Sequence, residues 1–232
     1  MEPSRFLASA ATLWARRYLT AGHVNRIRAE ATNNRCLAAG GNWTEAVERQ
    51  QTLVNELLLS SSISSSELLV DQVIVFAHLL GGYWIERAYP YVSRVLEITT
   101  VKLGPDHPSV LECQDLFVRI LIAQKDYSKA INVALGVIFS GYRVFGESHP
   151  FTAMAIGKLG IAQLHLGDIE SAVASLETAT EKLIARFSNE HEYATAFMGS
   201  LADAYRQLGK DKDAERITKL LNVPLISRIF NQ

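Results

Sequence analysis

Residues 145–189, FGESHPFTAMAIGKLGIAQLHLGDIESAVASLETATEKLIARFSN, decide the fold. They read as one helix–turn–helix unit. Pro150 suits the first turn of a helix, where its missing N–H would be unpaired anyway. The first helix then runs to about Leu166. Gly167 stops it, because glycine tolerates the left-handed conformation that ends helices. A second helix starts at about Asp168, whose carboxylate favours the positive end of the helix dipole. Ile169, Ala172, Val173, Leu176, Ala179 and Leu183 share one face of that helix.

The unit recurs. His107, His149 and His191 lie 42 residues apart, and two further steps back reach Ser65 and His23. The alanine near the start of each second helix keeps the same period: Ala46, Ala88, Ala130, Ala172 and Ala214. A small side chain belongs there, since two antiparallel helices cross most closely at that point. Five units at a fixed period indicate a helical repeat array.

Composition narrows the function. The chain has 232 residues, 48% apolar, with a net charge of −1, so it can build a core but offers no basic field for nucleic acid. Cys36 and Cys113 lie in different repeats without metal-type spacing. They read as buried thiols of a reducing compartment, the cytoplasm or the nucleus. The first residues, MEPSRFLASAATLWARRYL, are amphipathic and could resemble a mitochondrial targeting segment. A second helix of a truncated leading repeat, capping one end of the stack, is the favoured reading. A secretory signal fits poorly, because the apolar run is short and Glu2 precedes it.

Three regions follow: a leading capping helix over 1–22, a repeat array over 23–221, and a tail over 222–232 packed on the last repeat. The serine-rich run 60–66 reads as a loop closed by a capping box from Ser64 to Glu67, or as a linker. The first helix of repeat two, LLVDQVIVFAHLL, is too short to span a bilayer and suits a helix covered on both sides. His78 on it reads as a hydrogen-bonded core histidine. Pro90 inside the next helix predicts a late start or a kink. Leu225, Ile226, Ile229 and Phe230 give the tail one amphipathic turn.

The pattern LGPDHP…DYSKAI, FGESHP…KLGIAQLHLGDIESAV, LADAYRQLGKDKDAERI resembles tetratricopeptide repeats of the kinesin-light-chain type over about 19–221. The fold that this implies is an all-α, right-handed superhelical array of about five repeats. A narrower likeness overlaps it. The run HPFTAMAIGKLGIAQLHLGDIESAVASLETATEKL is similar to the C-terminal helical lobe of SET- and MYND-domain lysine methyltransferases. The chain lacks the cysteine cluster of a MYND finger and any recognisable SET core. That family's catalytic and cofactor-binding residues therefore have no positions here.

The array geometry of the resembled family implies a groove lined by first helices. Residues 5, 8, 12, 15 and 16 positions after each repeat anchor should face it. They include Arg28 and Arg35 in repeat one, and Val70, Val73, Ala77 and Leu80 in repeat two. Repeat three gives Glu112, Asp115, Arg119 and Ile122. Repeat four gives Met154, Gly157, Ile161, Leu164 and His165, and repeat five gives Ala196, Asp203 and Arg206. Apolar patches between charges of both signs suit an extended or helical peptide. The competing reading packs these residues on the array's own second helices. An Asn/Lys/Arg clamp for chaperone carboxylates is absent, with Arg35 and Ala77 in the Asn slots and Glu112 and Leu116 in basic ones.

The periodic histidines lie too far apart for one metal ion, whose ligands sit about 2 Å from it. They read as helix-boundary caps, and His165 as a cap or groove residue. No Ser–His–Asp set or phosphate loop is present. The expected function is a scaffold or adaptor that binds a protein or peptide. It has no catalysis, cofactor, metal or small-molecule substrate, and no nucleic-acid or membrane partner. The alternative is a helical lobe assisting a SET/MYND methyltransferase.

Overall fold

The computed structural model describes residues 3–59, 66–81, 84–187 and 191–221; among them are eleven α-helices and no strand. The capping box expected at Ser64 and the packing expected of the 222–232 tail lie outside the described residues. Among the described residues helix α1 (Pro3–Tyr18) precedes ten more, two to each repeat along the sequence. These are α2 (Val24–Ala39) with α3 (Trp43–Leu59), α4 (Ser66–Leu80) with α5 (Tyr89–Leu103), and α6 (Pro108–Ala123) with α7 (Tyr127–Phe145). Then follow α8 (Pro150–Leu166) with α9 (Ile169–Arg186), and α10 (Glu192–Gln207) with α11 (Asp211–Leu221). The residues cluster into two compact units, Met1–Ala123 and Gln124–Gln232.

In the first unit each second helix lies between two first helices: α3 packs on α2 and α4, and α5 on α4 and α6. Ala46 and Ala88 are wholly buried, as the period requires. Pro90 delays its helix. A 3-10 turn, Ile85–Ala88, comes first, and Pro90 then sits in the opening turn of α5, where it removes no needed hydrogen bond. Helix α4 is buried nearly all round, including Val70, Val73, Phe76 and Ala77. Inside this unit a polar chain crosses three helices. Asn34 donates to Gln50 at 2.9 Å, and Gln50 donates to the Gln72 carbonyl at 3.1 Å and its side chain at 3.2 Å.

In the second unit α8 packs most extensively on α9, with α7 on its other side, and α10 lies between α9 and α11. Gly167 takes the left-handed conformation (φ 91°) that ends α8, and Asp168 accepts from the Ser171 amide at 3.3 Å to open α9. Two glycines let helices close on α8. A β-carbon on Gly160 would stand 2.7 Å from Leu176, and one on Gly157 would overlap Phe197. Ala130 and Ala172 are wholly buried, and Ala214 nearly so.

Candidate binding faces of the first helices

The repeat anchors act as caps in three cases. A ring nitrogen accepts from the backbone two residues on: His23 from Asn25 at 3.2 Å, His107 from Ser109 at 3.3 Å and His149 from Phe151 at 3.2 Å. Each satisfies an otherwise orphaned donor of the first turn. His191 departs from this expectation. Its ring stacks on Phe187 with centroids 4.4 Å apart, and its buried Nδ1 has no hydrogen-bond partner among the described residues. Among those residues no group of three or more His, Cys, Asp or Glu side chains is arranged to hold a metal.

In the first unit, α2, α4 and α6 line a cavity of about 470 Å³. Arg28, Thr32 and Arg35 come from α2, Asp71, Ile74, Val75 and His78 from α4, and Glu112 from α6. Arg28, Arg35 and Glu112 therefore come together at this cavity. Asp115 and Arg119 are half-buried on α6 and do not line the cavity. On α4 the expected set was wrong. Val70, Val73, Ala77 and Leu80 are buried, and residues one or two positions away face the opening. His78 is exposed at this cavity instead of in the core. The signal was present in the sequence: Asp71 and His78 stand seven apart, so they share a helix face, and Ile74 and Val75 fall between them.

The cavity's electrostatics are uneven. Partial burial pushes the Asp71 carboxyl up, Arg28 opposes this, and Glu67 adds repulsion. Glu112 is pushed up by partial burial first, and then by the charges of Asp71 and Asp115. One side of the opening thus carries crowded carboxylates and the α2 side carries Arg28 and Arg35.

In the second unit Met154, Ile161 and Leu164 are half-buried on α8. Gly157, expected to face a groove, is instead buried under Phe197 of α10. His165 is exposed, its ring stacked on Tyr127 with centroids 5.0 Å apart. Asp203 and Arg206 pair with each other at 2.6 Å, and Arg206 also reaches Thr218 at 3.2 Å. The thiols also differ from expectation. Cys113 is buried and its pKa is pushed up to about 12 by that burial, but Cys36 is only half-buried.

No family model matches the chain, and no curated protein matches it. Solved structures do. A putative kinesin light chain of nearly identical TPR-like repeats from Podospora anserina is 21% identical, with a TM-score of 0.68 over 90% of this chain and 99% of that one. BtubC from P. vanneervenii is 17% identical, with a TM-score of 0.74 over 94% of this chain and 89% of that one. A Rap protein complexed with competence and sporulation factor is 16% identical, with a TM-score of 0.63 over 94% of this chain and 62% of that one. These likenesses show the fold: the chain is built of tetratricopeptide-type repeats. They do not bear on the SET/MYND likeness.

Proposed function

We propose that this chain is a protein–protein interaction scaffold without catalysis of its own, and that a partner's peptide or helix lies across α2, α4 and α6. The supporting observation is the cavity between those helices, where Ile74 and Val75 sit between Arg28 and Arg35 on one side and Asp71 and Glu112 on the other. Such a surface takes an apolar anchor and orients it by charge. Burial of the anchor supplies most of the energy, because a few desolvated residues dominate interfaces. The charges set approach and register. Met154, Ile161 and Leu164, with His165, Asp203 and Arg206, offer a second contact region in the other unit. The Rap match has a similar fold and is complexed with competence and sporulation factor, which supports partner binding by such repeats. Free Cys36 and Cys113 suit the cytoplasm or the nucleus. Among the described residues no helix is long and apolar enough to cross a membrane.

The test begins with affinity capture and mass spectrometry to identify a partner, which is then purified. Its binding is compared with Val75→Asp, Ile161→Asp, and Arg28→Glu combined with Arg35→Glu. Val101→Asp on exposed α5 surface is the control. Either apolar substitution should abolish binding at its own site, and the arginine pair should weaken binding and change its salt dependence. A partner that binds every folded variant as it binds the parent chain sinks this reading. Calorimetric titration with S-adenosylmethionine should show no binding.

A further inference from the structure

Two tryptophans of the first unit stand exposed where the start of α3 meets the end of α4. Trp43 opens α3 and is 52% exposed, and Trp84 precedes the 3-10 turn and is 59% exposed. Both line a cavity of about 350 Å³ whose apolar wall is completed by the buried side chains of Val47, Leu79 and Leu80. Its size and apolar lining are those of a ligand pocket. No described residue lines both this cavity and the one between α2, α4 and α6.

The repeat phase marks both tryptophans as departures. Trp84 stands at the position of Asp126 and Asp168, which accept from backbone amides at 3.3 Å to cap α7 and α9. Trp84 makes no such bond, so repeat two gives up a cap and presents an indole instead. Local rules are broken in this way at functional sites. Trp43 stands at the position of Tyr127. There the second unit supplies a ring: His165 of α8 stacks on Tyr127 with centroids 5.0 Å and planes 13° apart. Two repeats before His165 comes Gly81, which has no side chain to offer. Gly81 takes φ 64°, and a β-carbon built there would meet nothing within 4 Å. Trp43 therefore lacks the ring that Tyr127 has, and the second unit shows what kind of group stacks at this place.

We propose that this cavity takes one aromatic side chain of a partner protein, stacked on the Trp43 indole as His165 stacks on Tyr127. Paired rings gain affinity beyond the area they bury. Arg87 and Glu48 are the charged residues among the described lining, so their charges offset and the pocket suits a neutral ring. The ring's source in a partner protein rests on the scaffold reading. The pocket does not, and its test is separate from that of Val75→Asp at the other cavity.

The probe is a capped peptide with one phenylalanine between glycines. It is titrated into the whole chain while the indole N–H signals of the three tryptophans are followed by NMR. Trp43 and Trp84 should shift saturably, and Trp14 should not. Leucine in place of the phenylalanine should bind about two- to tenfold more weakly, which is what a ring pair contributes to affinity. Trp43→Ala should abolish the Trp84 shift while far-UV circular dichroism stays unchanged. The titrations of the parent chain need no variant. Trp43 and Trp84 indoles that do not move overturn the proposal, whether another segment of the chain or a second copy closes the pocket. So does a leucine peptide that binds as tightly, a Trp14 signal that moves with the others, or a Trp84 shift that survives in folded Trp43→Ala.

Discussion

The ring of Phe197 occupies the space beside Gly157 that a β-carbon would need. Phe197 is 1% exposed, so it has no free volume to retreat into. Gly157→Ala gains about 1 kcal/mol of helix propensity. It also overpacks the α8–α10 contact, which costs about 1–3 kcal/mol. Gly199 sits in α10 with nothing near its missing β-carbon. Gly199→Ala should therefore raise the melting temperature and Gly157→Ala should not. Equal rises in both would mean that Phe197 does not hold this position.

The buried alanines give a second prediction. Ala130 and Ala172 have no exposed surface, and both begin second helices at the repeat phase. Ala172→Leu and Ala130→Leu should each destabilise the protein by about 1–3 kcal/mol through overpacking. Urea denaturation of the two variants measures this. Midpoints equal to the parent's would contradict the register.

The period made the fold legible because repeated contacts select the same small or apolar residue at the same phase. Ala46, Ala88, Ala130, Ala172 and Ala214 are all buried, and Gly167 and Pro90 punctuate the helices as their backbones demand. The candidate site was less legible. A period locates a residue along the array but does not set how each helix rotates about its own axis. Neighbouring side chains decide that. Helix α4 is apolar almost all round, so several rotations bury similar surface, and only Asp71 and His78 mark its open face. Gly157 was assigned to a groove by phase, but a partner ring 40 residues later covers it. Long-range packing of that kind leaves no local pattern.

The polar chain through Asn34, Gln50 and Gln72 was likewise not visible in the period. Gln50 is fully buried, and the equivalent residue in α9 is Leu176. Gln50→Leu copies that apolar residue but strands the Asn34 amide in the core. An unsatisfied buried donor costs about 1–3 kcal/mol. Gln50→Leu alone should therefore destabilise the protein, and adding Asn34→Leu should recover part of the loss. Such coupling is expected of residues in one hydrogen-bond network. A double-mutant cycle in denaturant measures it, and strictly additive losses would count against a shared network.

The carboxylates of the first unit give a prediction in pH. Asp71 and Glu112 line one cavity; both are pushed above their ordinary values by partial burial first, and Glu112 also by the charge of Asp71. Arg28 offsets this at Asp71, and Glu67 and Asp115 add to the repulsion. A carboxyl raised on folding binds its proton more tightly in the folded state. Stability then falls as pH climbs from the ordinary carboxylate range through the raised value, and the full cost is present above it. Glu112→Gln removes the ionised group that partial burial and the charges of Asp71 and Asp115 disfavour. The variant should melt above the parent at neutral pH. The gap should narrow as pH drops through about 4 and close only below the ordinary carboxylate range, where the group is protonated in both states. Thermal melts of both proteins across that range measure the gap. A variant no more stable than the parent at neutral pH would show that solvent screens the repulsion completely.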